Sequence, residues 1–210
     1  MKFKLFVLVL IFQASLVKSQ NFDVSLLNKF NPNSGSENAG WKFISNNAIY
    51  MSAATPLTLM VIGIANHDQN LKQVAFNTGI ALVGNTVITM AMKSAIQRQR
   101  PFVTWADKIM LQGNTSPTDY SFPSGHTSTA FSVATSVSLA YPKWYVIAPS
   151  FAFASATAYS RMYRGAHYPT DVLCGIIVGS GSAFLTHKLQ KAMFGRRMER
   201  KARALALTQQ

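Results

Sequence analysis

Acidic residues, cysteine and charge of any sign are all scarce in this chain. Only 7 Asp and Glu stand against 20 Lys and Arg, a formal net charge of +13. Charged residues make up 13% of the sequence, about half the roughly 25% of an ordinary soluble domain. So little charge is a poor match to a surface wetted on all sides and points to a membrane. The positive balance suits anionic lipid, nucleic acid or a phosphorylated substrate and does not by itself choose among them. The single cysteine, Cys174, lies in an apolar run, which excludes an internal disulfide and a cysteine-based metal site and leaves the compartment open. Internal repeats and low-complexity tracts are missing. No alternation of period two persists, which argues against half-buried strands.

Apolar helices remain. Met1-Lys2-Phe3-Lys4 is a short basic start before the apolar run Leu5 to Val17, the layout of a secretory signal with cleavage before Gln20. An uncleaved anchor is the alternative, although the run is short of the about 20 apolar residues of a spanning helix. Either way the chain beyond it is expected to be exported. The division expected is a leader over 1–19, a polar exported arm over 20–40, a helical domain over 41–190 and a basic tail over 191–210. The arm, rich in Asn and Ser, reads as loop. Five apolar segments come after it, Ala48 to Ala65, Val74 to Ile96, Thr127 to Tyr141, Trp144 to Tyr159 and Val172 to Leu185. Their length and Ala content predict an all-α helical bundle, polytopic in the membrane with about five apolar helices. A soluble bundle burying the Ser- and Thr-rich third segment is the competing architecture. Threaded alternately through a bilayer, the helices place Lys72, Lys143 and the tail on one face, the cytoplasmic one by the distribution of basic residues. The opposite face receives the arm, the loop from Gln97 to Pro123 and the turn from Ser160 to Thr170. With no aromatic platform beside it, the tail reads as a solvated or lipid-facing helix and not as a nucleic-acid site.

The loops on that exported face hold three polar clusters. Lys93 and Arg100 stand seven residues apart before Pro101, a spacing that places two cations on one helix face with proline as the stop. Arg98 and Arg100 could equally anchor a helix end to lipid headgroups. Tyr120 to Thr127 reads as a helix start: Ser124 can cap, Gly125 admits close approach of backbone, and free N–H groups make an anion seat beside His126. In the third cluster Pro169 opens the last helix and puts Asp171 in its first turn, within reach of His167. A carboxylate held at one ring nitrogen leaves the other free as nucleophile or base. Read blandly, Asp171 is only a cap and His167 a loop residue.

Together the clusters, Lys93-x6-Arg100-Pro101, Pro123-Ser124-Gly125-His126 and Ser160-Arg161-x5-His167-x3-Asp171, resemble the three-part signature of the type 2 phosphatidic acid phosphatase and vanadium haloperoxidase superfamily, with no departure at any position. That resemblance implies a metal-independent phosphatase with no cofactor. Lys93, Arg100 and Arg161 would hold phosphate with Ser124 and Gly125. His167 would attack phosphorus, Asp171 orient it, and His126 protonate the leaving oxygen and then activate water. The substrate class implied is a phosphorylated lipid met at the membrane, from phosphatidic acid and phosphatidylglycerol phosphate to undecaprenyl pyrophosphate and lipid A. The location implied is the inner membrane with the site facing the periplasm or exterior. No obligate protein partner is evident. The alternatives are a soluble periplasmic acid phosphatase of the same superfamily, a vanadate-holding haloperoxidase, and a noncatalytic membrane protein that binds anionic lipid.

Overall fold

The computed structural model describes residues 22–32 and 37–208, with side chains as far as residue 193. The leader expected over 1–19 lies outside the described residues. Among those residues the chain is all helical: α1 (Ala39–Ala65), α2 (Gln69–Ile96), α3 (Pro101–Thr104), α4 (Gly125–Ala140), α5 (Trp144–Tyr163) and α6 (Pro169–Thr208). Local chemistry sets several boundaries. Asn38 caps α1, its side chain accepting from Gly40 N at 2.9 Å and Trp41 N at 3.3 Å, so the helix begins well before the apolar run at Ala48. Asp68 caps α2 in the same way, accepting from Asn70 N at 2.8 Å and Leu71 N at 3.1 Å. At the far end of α2 the left-handed Gln97 (φ 50°) closes the helix by donating to Lys93 O, as in an αL cap.

Two expectations need correction here. Pro101 does not stop α2, which has already ended at Gln97; it occupies the first turn of α3, with Arg100 as the N-cap residue. Proline suits that position because the N–H it lacks has no helical partner there anyway. Lys93 and Arg100 therefore do not share a helix face. The arm, expected as loop, is helical over residues 22–28, and it docks with Val24 and Leu27 buried against Ile109 and Tyr168.

Beside its apolar core clusters the bundle buries many small polar residues and exposes many large apolar ones. Ser45, Ser52, Thr78, Asn85, Ser124, Thr127, Ser128, Ser132, Thr157 and Ser160 are buried, while Tyr50, Leu57, Val61, Phe76, Val83, Val87, Met90, Leu173 and Ile177 are exposed. Small and hydroxyl-bearing residues inside with large apolar ones outside is the pattern of helices packed in lipid. An apolar exterior of this extent on a water-soluble monomer would be an aggregation surface, so the membrane bundle holds over the soluble one. Three stretches have the length and apolarity to cross a bilayer, Ala39–Ala65, Gln69–Thr104 and Pro169–Met193. The expected count of five is not supported for the other two. At 16 residues α4 extends about 24 Å against a hydrocarbon core of about 30 Å, and α5 carries Pro149, Arg161 and several hydroxyls.

Helix α4 is the centre of the bundle and packs chiefly on α6 and α5, with further contacts to α2 and α1. Its approach to α6 is very close. A Cβ on Gly175 would lie 2.8 Å from the Ser124 carbonyl oxygen, and one on Gly179 only 2.1 Å from that of Ser128. Glycine at these two positions lets the α6 backbone rest directly on the start of α4.

Candidate active site

The alternation of helices brings one end of each to a common place: the start of α1, the end of α2, the start of α4, the end of α5 and the start of α6. All eight residues singled out in the sequence lie there. Lys93, on the last turn of α2, donates from Nζ to the Tyr120 carbonyl. Arg100, just past that helix, donates from Nε to the neighbouring Asp119 carbonyl at 3.0 Å and from Nη1 to Ala166 O at 3.0 Å. The two cations thus converge through the 119–120 backbone, not through helical periodicity. Arg161, buried near the end of α5, donates from Nη1 to Ser45 of α1, and its Nε is without a hydrogen-bond partner among the described residues. Lys93 lies within electrostatic range of Arg100, Arg161 and Asp171, a gathering of positive charge that favours an anion at the site.

Ser124 takes the N-cap position of α4 in extended conformation but makes no side-chain cap bond; its Oγ lies 2.9 Å from Thr127 Oγ1. The expected Ser124 cap is therefore corrected: the position is right and the capping bond is not formed, which leaves the N–H groups of the first turn without that acceptor. Space for a ligand is open at Gly125, where an added Cβ would meet only Thr89 Cγ2 at 3.8 Å. His126, the next residue, is partly buried and in electrostatic range of Arg161, His167, Arg100 and Arg164.

His167 lies in the turn between α5 and α6 and is 2% exposed. Its Nδ1 is 3.6 Å from Asp171 Oδ2, an ion-pair distance longer than a hydrogen bond. Its Nε2 is 3.3 Å from Arg100 Nη1. Burial first, then Arg100, Arg161 and Lys93, hold the imidazole well below its ordinary pKa, which favours the neutral ring, with the Nε2 lone pair facing the Arg100 donor. Asp171 is fully buried in the first turn of α6. One carboxylate oxygen accepts from Tyr168 N at 2.9 Å and the other from Arg98 Nη1 at 2.8 Å. Such an arrangement can bind a tetrahedral oxyanion and present a neutral, oriented imidazole to it.

Several members of the site escape the motif reading. Arg98 is no lipid anchor: its Nη2 pairs with Asp23 of the arm at 2.8 Å while Nη1 pairs with Asp171. Arg164, one turn after Arg161, is buried; it pairs with Glu37 at 2.8 Å and donates to Ser45 Oγ at 3.0 Å and Asn46 Oδ1 at 2.8 Å. Scarcity was the available signal. With only 7 acids for 20 cations, Asp23 and Glu37 in a polar arm are natural partners for arginines that must be buried.

A cluster of three cations and two histidines, at one end of a lipid-packed helical bundle, defines the class of protein. The chain belongs to the PAP2 superfamily, whose profile matches residues 73–194, more than half of its length. Among curated relatives it is 35% identical over 116 residues to an undecaprenyl-diphosphatase of Sulfolobus acidocaldarius, covering 53% of this chain and 55% of that one. It is 39% identical over 104 residues to a lipid A 1-phosphatase of Porphyromonas gingivalis, covering 48% of this chain and 20% of the relative. The chain thus spans about half the length of the first and a fifth of the second. Among solved structures the fold is shared with a transmembrane PAP2-type phosphatidylglycerolphosphate phosphatase of Bacillus subtilis, with a TM-score of 0.64 at 20% identity, covering 90% of this chain and 95% of that one.

Proposed function

We propose that this membrane protein is a phosphatase that hydrolyses lipid phosphate or diphosphate esters through a phosphohistidine on His167. The observation that carries the reading is the meeting of Lys93, Arg100, Arg161 and the open start of α4 around His167, with Asp171 on the far side of its ring. Phosphoryl transfer depends mostly on positioning and charge stabilisation, and this pocket provides both. With Nδ1 turned to Asp171, Nε2 is the atom that bonds to phosphorus as the ester P–O bond breaks. Burial, then Arg161 and its neighbours, hold the pKa of His126 down at about 2 without an anion; a bound phosphate opposes those cations, so that His126 takes up a proton and gives it to the departing oxygen. It then takes a proton from water, which attacks the phosphohistidine and releases inorganic phosphate. The three cations and helix N–H groups meet the negative charge as it shifts onto the phosphoryl oxygens, where one such donor is worth about 3 kcal/mol.

Phosphorylated lipids are the substrates we infer, because the cluster lies at the end of helices whose outer surfaces are apolar, so a tail would have lipid to rest in while its headgroup is bound. The relatives named for undecaprenyl diphosphate and lipid A agree with that class. The distribution of basic residues, with Lys72 and Lys143 at the helix ends remote from the pocket, supports a site on the outer side of the inner membrane. The test is direct. Protein incubated with radiolabelled lipid phosphate and quenched in alkali should carry label on His167, turnover should persist in EDTA, and vanadate should inhibit by taking the pentacoordinate geometry. A requirement for divalent metal, or a turning-over enzyme that never carries label, would overturn it.

A further inference from the structure

The α6 carboxylate that faces His167 is itself held from an unexpected quarter. Asp171 is fully buried and Asp23 is 1% exposed, and one guanidinium joins them: Arg98 Nη1 is 2.8 Å from Asp171 Oδ1 and Nη2 is 2.8 Å from Asp23 Oδ2. Thr170, next to Asp171, closes the ring. Its N–H donates to Asp23 Oδ1 at 3.1 Å, its hydroxyl also reaches Asp23, and that hydroxyl accepts from Arg98 Nη1 at 2.8 Å. The guanidinium lies over the Tyr168 ring, 3.7 Å from its centroid, so it has little freedom to swing away. Asp23 lies outside the segment that matches the superfamily profile, residues 73–194.

We propose that Asp23 and Arg98 are positioning residues for the phosphoryl-transfer step, with the N-terminal arm completing the active site. The logic is one of charge sharing. A single arginine paired with Asp171 alone would neutralise it and draw it away from the imidazole. Shared with Asp23, Arg98 anchors Oδ1 while the group of two carboxylates and one guanidinium keeps a net negative charge. Oδ2 remains on the His167 side, where it stabilises positive charge as the ring bonds to phosphorus. Neither residue touches substrate; both act through Asp171.

The inference rests on the phosphohistidine reading, and a double-mutant cycle tests it separately. Full-length protein in detergent is assayed with p-nitrophenyl phosphate, alongside its thermal midpoint and vanadate inhibition. Asp23→Asn should lower kcat about 10- to 100-fold, the range to which loss of one charge-assisted hydrogen bond converts, with KM and vanadate inhibition changed by no more than about twofold. In an Asp171→Asn background the same change should alter the residual kcat by less than about twofold, because the group it acts through is gone. Asp23→Glu should recover most of the activity lost in Asp23→Asn. Equal factors in both backgrounds, or a rise in KM in place of a fall in kcat, would overturn the proposal. So would a thermal midpoint lowered in both Asp23 variants without a change in kcat, since the pair would then be a strut of the fold. Failure to label His167 in the unaltered protein would instead refute the functional reading.

Discussion

Two glycines on one helix, Gly179 and Gly181, should respond in opposite ways to the same added methyl group. At Gly179 the new Cβ would lie 2.1 Å from Ser128 O, 2.9 Å from its carbonyl carbon and 3.0 Å from its Cα. All three atoms are backbone and no side chain can turn aside, so α4 and α6 must part by roughly 1 Å to restore ordinary contact. Overpacking of this kind costs about 1–3 kcal/mol, which for a chain of this size lowers the thermal midpoint by about 2–12 °C. Activity should fall further than stability. Ser128 is hydrogen-bonded to Ser124 O through its N–H and to Gly125 O through its hydroxyl, both at 3.0 Å, so a displaced Ser128 carries the phosphate seat with it. A misplacement of about 1 Å is worth on the order of 100-fold in rate. At Gly181 an added Cβ meets nothing within 4 Å, and the gain in helix propensity is up to about 1 kcal/mol. Gly181→Ala should therefore match or exceed the parent midpoint at full activity. Thermal denaturation in detergent and kcat/KM on a lipid diphosphate decide the matter, and equal behaviour of the two variants would refute the packing argument.

Replacing the histidines should separate their roles. His167→Ala should abolish turnover of lipid and aryl phosphates alike, whereas His126→Ala should spare the first step for an aryl leaving group and accumulate an acid-labile label on His167. Equal loss of labelling with both substrates in His126→Ala would show the assignment to be wrong. Because the folded protein holds His167 below its ordinary pKa, the unfolded chain takes up that proton first. The stability His167 contributes is complete above about pH 6.5 and is lost as pH falls below it. His167→Gln should accordingly show a shallower acid loss of stability in pH-jump unfolding, and an unchanged slope would contradict the burial argument. Reporter fusions within residues 105–118 should behave as exported; a cytoplasmic response would invert the topology and move the substrate to the inner leaflet.

The placement of the candidate site residues was largely legible in the sequence because they sit at helix ends, where proline, glycine and serine mark the boundaries. Pro169 and Asp171 could be placed in the first turn of a helix, and His126 beside another, from local rules alone. Where the reading went astray, a non-local partner decided. Periodicity extended α2 to Arg100, but the helix closes at Gln97 and tertiary bonds from Lys93 and Arg100 to residues 119 and 120 make the convergence. The arm looked like loop because its composition is polar, yet Asp23 is buried by Arg98, 75 positions away in the chain. Hydropathy found five apolar segments but weighed a buried hydroxyl helix such as α4 like the lipid-facing helices around it.

The carbonyls of Asp119 and Tyr120 bear on how the product leaves. In the function proposed above, three cations at one site would favour inorganic phosphate as well as the substrate, and slow release would limit turnover. Lys93 and Arg100 are not idle without a ligand, since each has a main-chain oxygen to return to. Under the function proposed above, an anion that draws either donor off its carbonyl would bind with an affinity that is a difference between two sets of hydrogen bonds. On that proposal the 119–120 backbone would act as a built-in competitor that tempers product inhibition, and lipid anchorage of the tail would distinguish the ester that should stay from the phosphate that should go.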